Sequence, residues 1–154
     1  MTTTKNSKLI DASAEACFRA FTDAEALEQW LAPGEMTGKV HQFELREGGG
    51  YIMSLYYPEK DGEVKGKSDV KEDRYCARFV ELRPNKRIVE AIEFDTTDAR
   101  FMGEMIMEVG FIPEGTGTRV ELTFSNIPPG IRPEDNEKGT ELSLEKLAKY
   151  AQAR

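Results

Sequence analysis

The sequence predicts an α+β fold. It consists of a curved antiparallel sheet of about six to seven strands, two short helices after the first strand, and a long C-terminal helix over the concave face. Three observations carry this expectation. Apolar residues recur with period two through Lys39–Arg46, Tyr51–Tyr57, Arg87–Asp95, Glu104–Ile112 and Thr118–Ser125, as in strands with one wet face. Clusters of Gly, Pro and Asn separate these runs, as hairpin connections require. Helical spacing occurs only near the N-terminus and over the last segment of the chain, where apolar residues fall three and four apart.

Each element has a local reason. Thr3–Ile10 reads as a first strand. Asp11-Ala12-Ser13 is a turn with N-cap chemistry, and Glu15 falls in the first helical turn, where the dipole favours a carboxylate. Ala14–Phe21 carries Cys17, Phe18 and Phe21 at helical spacing. Thr22-Asp23-Ala24-Glu25 has the form of a capping box with Thr22 at the cap. It should open a second helix that presents Leu27, Trp30 and Leu31 on one face and stops at Ala32-Pro33-Gly34.

In the next strand His41, Phe43 and Leu45 share a face opposite Val40, Gln42 and Glu44. Glu47-Gly48-Gly49-Gly50 reads as a tight hairpin or bulge; no Gly-Lys-Ser/Thr follows to make it a phosphate cradle. The returning strand aligns Tyr51, Met53 and Leu55. Pro58–Asp73 is the most polar stretch and reads as a solvated loop holding a short edge strand. Tyr75–Leu82 and Arg87–Asp95 form a hairpin around Arg83-Pro84-Asn85-Lys86, with Ile88, Glu90, Ile92 and Phe94 on one face of the second arm. The final hairpin turns at Pro113–Gly117 and points Met105, Met107, Val109 and Phe111 with Val120, Leu122 and Phe124 toward one side. A Pro-rich connector, Asn126–Pro133, leads into a helix over Glu134–Ala153. Pro133, Glu134 and Asp135 suit its first turn. Thr140, Leu144, Leu147, Ala148 and Ala151 mark its buried stripe, and Glu141, Glu145, Lys146 and Lys149 its wet side.

Length and charge bound the function. The chain has 154 residues, fitting one domain over 1–154, with no repeat or dividing linker. With 21 Lys and Arg against 28 Asp and Glu, the net charge is −7. A nucleic-acid surface needs clustered cations, and none is present, so no nucleic-acid partner is expected. No apolar run is long enough for membrane insertion, and the first residues lack the apolar region of a secretory signal. A cytoplasmic location is expected. Cys17 and Cys76 have no CxxC spacing, and one histidine cannot complete a zinc set, so neither metal nor cofactor is expected. The two thiols read as small buried or half-buried residues; the alternative, a catalytic thiol, would need His41 as its base, and nothing in the local spacing supports it.

Two residues stand out from their strands. His41 is either a packed or rim histidine or a ligand or proton-transfer group. Glu90 interrupts an apolar face; it is either a solvent-bridged carboxylate at a pocket mouth or a polar anchor for a ligand. Beside them, the inward candidates are aromatic or Met to an unusual degree. Trp30, Phe43, Tyr51, Met53, Phe79, Ile92, Phe94, Met105, Met107, Phe124, Leu144 and Leu147, together with His41 and Glu90, form the expected cavity set. Methionine adapts to varied apolar partners, so the set fits a cavity for a small lipophilic ligand between sheet and helix.

Several short motifs then combine. They are Ile10-Asp11-Ala12-Ser13-Ala14-Glu15, Phe21-Thr22-Asp23 through Trp30, and Glu44-Leu45-Arg46-Glu47-Gly48-Gly49. Phe79–Pro84 with Arg87-Ile88-Val89, Gly117-Thr118-Arg119-Val120, and Pro128–Glu137 with Gly139 and Leu144–Ala148 complete them. In this order the chain resembles the START-like (SRPBCC) superfamily, whose fold is the helix grip. Within it, the chain is similar to proteins resembling the C-terminal domain of the activator of the heat-shock-protein-90 ATPase. The resemblance implies one of three roles: a carrier of a small hydrophobic ligand, a chaperone-associated interaction domain, or a cyclase- or hydrolase-type enzyme. The superfamily shares no catalytic set, so the resemblance carries over no catalytic residue. An enzyme here would use His41 as general base with Glu90 and Tyr51, and a non-enzymatic binding role is favoured over it.

Overall fold

The computed structural model describes residues 2–58 and 72–153. The elements run β1 (Thr4–Ile10), α1 (Ala14–Phe21), α2 (Ala24–Trp30), β2 (Thr37–Glu44), β3 (Gly50–Tyr56), β4 (Glu72–Arg83), β5 (Arg87–Phe94), β6 (Met105–Glu114), β7 (Gly117–Ser125) and α3 (Pro133–Gln152). A single 3-10 turn, Ala99–Phe101, lies between β5 and β6. The seven strands form one antiparallel sheet in the order β1-β7-β6-β5-β4-β3-β2. The expected α+β architecture, with two short helices early and one long helix last, is therefore present. The polar loop with its expected edge strand falls at 59–71, outside the described residues, while Glu72 and Asp73 already belong to β4.

Local chemistry sets the helix ends. Ser13 accepts a hydrogen bond from the Ala16 amide at 3.0 Å and caps α1. The expected capping box is shifted by one residue. Thr22 closes α1, its hydroxyl donating to the Phe18 carbonyl, and Asp23 caps α2 by accepting from the Glu25 amide at 3.1 Å. A Thr one residue past a helix can satisfy the last carbonyls, so it does not have to serve the next helix.

Burial alternates along the strands, and β7 shows the period most cleanly: Val120, Leu122 and Phe124 are buried between half-exposed neighbours. Two bulges break the period. One lies between Val40 and Gln42 in β2, the other between Phe79 and Glu81 in β4. Before the second bulge, Tyr75, Ala77 and Phe79 point inward, which fixes the cavity-facing side of β4. At the β3–β4 junction, a Cβ on Gly50 would collide with the Ala77 carbonyl oxygen. Only glycine permits this approach.

α3 lies along the β1 side of the concave face. Asn136 Nδ2 donates to Thr4 Oγ1 (2.8 Å) near its start, and Gln152 Oε1 accepts from the Asp11 amide (2.9 Å) near its end. Contacts to the segment after α2 anchor it sideways. Ser143 Oγ donates to the Leu31 carbonyl at 2.7 Å, and Lys146 Nζ donates to the carbonyls of Ala32 and Gly34. Lys146 is therefore half-buried rather than on the wet side of the helix, and burial lowers its pKa. Its long stem lets the ammonium reach those carbonyls from a helix flank.

Candidate functional site

A pocket of about 590 Å³ opens between the first half of α3 and the sheet. Each of five strands supplies part of its wall: Tyr51 and Leu55 from β3, Tyr75 from β4, Ile92 and Phe94 from β5, Met105 and Met107 from β6, Leu122 and Phe124 from β7. Pleating explains the spacing, since residues two apart on a strand share a face. α3 contributes Asn136, Gly139, Thr140 and Ser143, one helical face of small side chains. Ile131, Phe101, Leu31 and Met36 complete the wall from the connecting segments. Exposed charged residues border the opening, with Glu72, Asp95 and Asp135 beside Arg74 and Arg132.

The deep polar group is Glu90. It is 1 % exposed and lies on β5 between Phe79 of β4 and Met107 of β6. Tyr51 donates its hydroxyl hydrogen to Glu90 Oε1 at 2.9 Å, while Oε2 has no partner among the described residues. Burial pushes the Glu90 carboxyl up to about 7, opposed in part by the Tyr51 bond. Burial and the neighbouring Glu90 charge hold the Tyr51 phenol well above the usual tyrosine range, and the Tyr75 phenol is raised for the same reasons. The Tyr51 and Tyr75 rings meet edge to face, 6.0 Å between centroids, and the Tyr75 hydroxyl points to Met53 Sδ at 3.5 Å.

Six of the residues expected in the cavity line this pocket: Tyr51, Ile92, Phe94, Met105, Met107 and Phe124. Glu90 stands directly behind that wall through Tyr51. Trp30, Met53, Phe79, Leu144 and Leu147 are fully buried in the packed core instead. Trp30 Nε1 donates to the Ala20 carbonyl at 2.9 Å, and its ring packs edge to face on Phe21. Phe43 packs on Tyr51 and Phe79 at the core margin. Gly139, Thr140 and Ser143 are the pocket residues that a search for large apolar groups overlooks. A cavity exists where side chains are small, and a run of small residues spaced three and four apart on one helix face is the available signal.

His41 is placed elsewhere. The bulge between Val40 and Gln42 takes it out of register with Phe43, so the shared-face expectation fails for it. It lies exposed, its Nε2 2.9 Å from Ser54 Oγ, on the face of β3 opposite Met53 and Leu55. Ser54 in turn gives its single hydroxyl hydrogen to Glu72 Oε2 at 2.5 Å. That commitment requires His41 Nε2 to be the donor toward Ser54. The triplet thus ties β2, β3 and β4 together, and His41 is not poised as a base toward either Ser54 or the Tyr51–Glu90 pair. Among the described residues, no three His, Cys, Asp or Glu side chains gather as a metal site, and no helix is long and apolar enough to cross a membrane.

Known proteins give the fold and family context. No curated protein matches the sequence. A solved structure from Chromobacterium violaceum is 29 % identical and superposes with a TM-score of 0.85, covering 97 % of this chain and 96 % of that one. An Arthrobacter aurescens protein is 15 % identical, with a TM-score of 0.80, and the overlap covers 99 % of this chain and 87 % of the other. An AHSA1-like protein from Aeromonas hydrophila is 18 % identical with a TM-score of 0.71, over 99 % and 93 % of the two chains. The family model described as Activator of Hsp90 ATPase homolog 1-like protein matches residues 11–152. Nearly the whole sheet and all three helices fall inside that match, and the chain belongs to the Activator of Hsp90 ATPase homolog 1-like family.

Proposed function

We propose that this protein binds a small hydrophobic molecule in the pocket between the sheet and α3. The observation that supports the reading is a preformed space of about 590 Å³ whose wall is mainly Met, aromatic and aliphatic side chains. Ligand sites have this size and this apolar lining with few polar groups. Apolar area removed from water gives the affinity, at roughly 25 cal/mol per Å² before ordering costs. Met105 and Met107 adapt the wall to the shape of the guest.

Gly139→Leu tests the reading. A Cβ at Gly139 meets nothing within 4 Å, so a larger residue enters open space. The wild-type chain, titrated with a panel of lipids and aromatic compounds, should show amide NMR shifts at Tyr51, Ile92, Met105 and Met107. Gly139→Leu should fold and lose those shifts. Shifts confined to the outer face of the sheet would overturn the pocket reading.

A second reading follows from the family match alone: a chaperone-associated interaction domain. Its test is capture of purified Hsp90 by the isolated chain. Capture that survives Gly139→Leu would assign the interaction to a surface outside the pocket.

A further inference from the structure

The Glu90 carboxyl is costly where it stands. A buried acceptor without a donor retains its desolvation penalty, and Oε2 has no partner among the described residues in a side chain that is 1 % exposed. A leucine or methionine would fill the same site on β5 at no such cost. The neighbours are arranged around the carboxyl. Tyr51 lines the pocket and commits its only hydroxyl hydrogen to Oε1, so its oxygen presents lone pairs and no donor. Tyr75 also lines the pocket and points its hydroxyl at Met53 Sδ. Met107, the β6 partner of Glu90, is the pocket-wall residue beside it. Its unbranched thioether has several rotatable bonds and can turn aside.

Above pH 7, where the carboxyl has released its proton, the inner end of the pocket is therefore rich in acceptors and poor in donors. The charged residues at its opening are acidic in excess: Asp73, Asp95 and Asp135 against Arg74 and Arg132, with the Glu72 carboxylate turned to Ser54 instead. Both features disfavour a carboxylate guest and favour one that donates hydrogen bonds. We propose that Glu90, Tyr51 and Tyr75 form a subsite that receives the hydrogen-bond-donating end, hydroxyl or ammonium, of an otherwise apolar ligand. The inference rests on the pocket reading and adds to it the polarity of the ligand and its orientation, polar end inward. The donor meets the Tyr51 oxygen and, with the Met107 thioether displaced, Glu90 Oε2.

The test uses four probes with the same saturated decyl chain: 1-decanol, decylamine, its carboxylate counterpart decanoate, and decyl methyl ether, which accepts but cannot donate. Binding to the wild-type chain is followed above pH 7, where Glu90 is ionised, by amide NMR shifts at Tyr51, Ile92 and Met107. The alcohol and the amine should bind about tenfold or more tighter than the ether and decanoate, the factor expected for a hydrogen bond to a charged group. Glu90→Gln keeps the shape and removes the charge, and should reduce the amine's advantage over the ether to under about threefold on the same reasoning. Tyr51→Phe removes the other acceptor and serves as the second variant if Glu90→Gln does not fold. Equal binding of all four probes would overturn the subsite while leaving the pocket reading intact. Tighter binding of decanoate would overturn it in the same way. An absence of pocket shifts with every probe would overturn both.

Discussion

The concave face of the sheet has two ends that use the same helix differently. At one end the second half of α3 sets Leu144, Leu147 and Ala151 into a core with no exposed side chain of consequence. Phe21 stacks edge to face on both Trp30 and Phe111 there, with centroids at 4.6 and 5.5 Å. At the other end the first half of α3 presents Gly139, Thr140 and Ser143 to Met105, Met107, Phe124 and Tyr51, and a pocket remains. The helix side chains that face this space are small. One end spends its apolar residues on close packing, which is where most of the stability of such a domain resides. The other keeps an apolar wall without filling it, and it also carries Glu90, the one buried, partly unpartnered carboxyl among the described residues.

The sharpest contrast comes from truncating one large residue at each end. Trp30→Ala should cost about 3–5 kcal/mol by urea denaturation, since it leaves a cavity in a tightly packed region and strands the Ala20 carbonyl. Met107→Ala removes a side chain that already borders open space, so its cost should fall below about 2 kcal/mol, the low end for such truncations. Equal losses at the two sites would mean that the pocket end is packed as closely as the other.

The next largest effect is a pH dependence that belongs to the pocket end alone. Glu90 titrates at about 7 in the folded chain against 4.5 for an ordinary glutamate. Below 4.5 both folded and unfolded chains hold the proton, and no penalty arises. Between these values the unfolded chain has released it and the folded chain has not, so folding weakens as pH rises through this window and levels off above 7. The penalty should reach about 3 kcal/mol, from 1.36 kcal/mol per pKa unit. Tyr51 and Tyr75 are raised and stay protonated throughout. Urea titrations at either side of the window should show Glu90→Gln gaining on the wild type as pH rises. A difference between the two that does not change with pH would remove Glu90 as the cause.

The smallest effect sharpens the account of the helix. Gly139 sits within α3 at an ordinary helical position, and an added Cβ meets nothing there. Gly139→Ala should raise stability by about 0.5–1 kcal/mol through helix propensity, read as a higher urea midpoint with an unchanged slope. A loss would mean that the pocket end of α3 needs the flexibility of glycine. At the packed end, Ser13→Ala should lower stability by about 1 kcal/mol through loss of the α1 cap.

Much of this is legible in the residues alone. Period-two alternation placed the strands and assigned Val120, Leu122 and Phe124 inward, because a pleated strand can turn its side chains only to two faces. The turn clusters and Pro133 bounded the elements for equally local reasons. The site was only half legible. Tyr51, Met105 and Met107 follow from parity. His41 does not, because a one-residue bulge after Val40 reverses the parity that placed it inward. Trp30, Leu144 and Leu147 were inward as expected, yet inward does not mean facing a cavity. Whether a buried side chain touches its neighbours or empty space depends on where α3 lies along the sheet. Contacts far apart in the chain decide that position, Asn136 to Thr4, Gln152 to Asp11 and Lys146 to the segment after α2. The sequence determines which residues avoid water, since that depends on local periodicity. The tertiary structure alone decides which of them surround a space, since that depends on how two separately determined surfaces fit together.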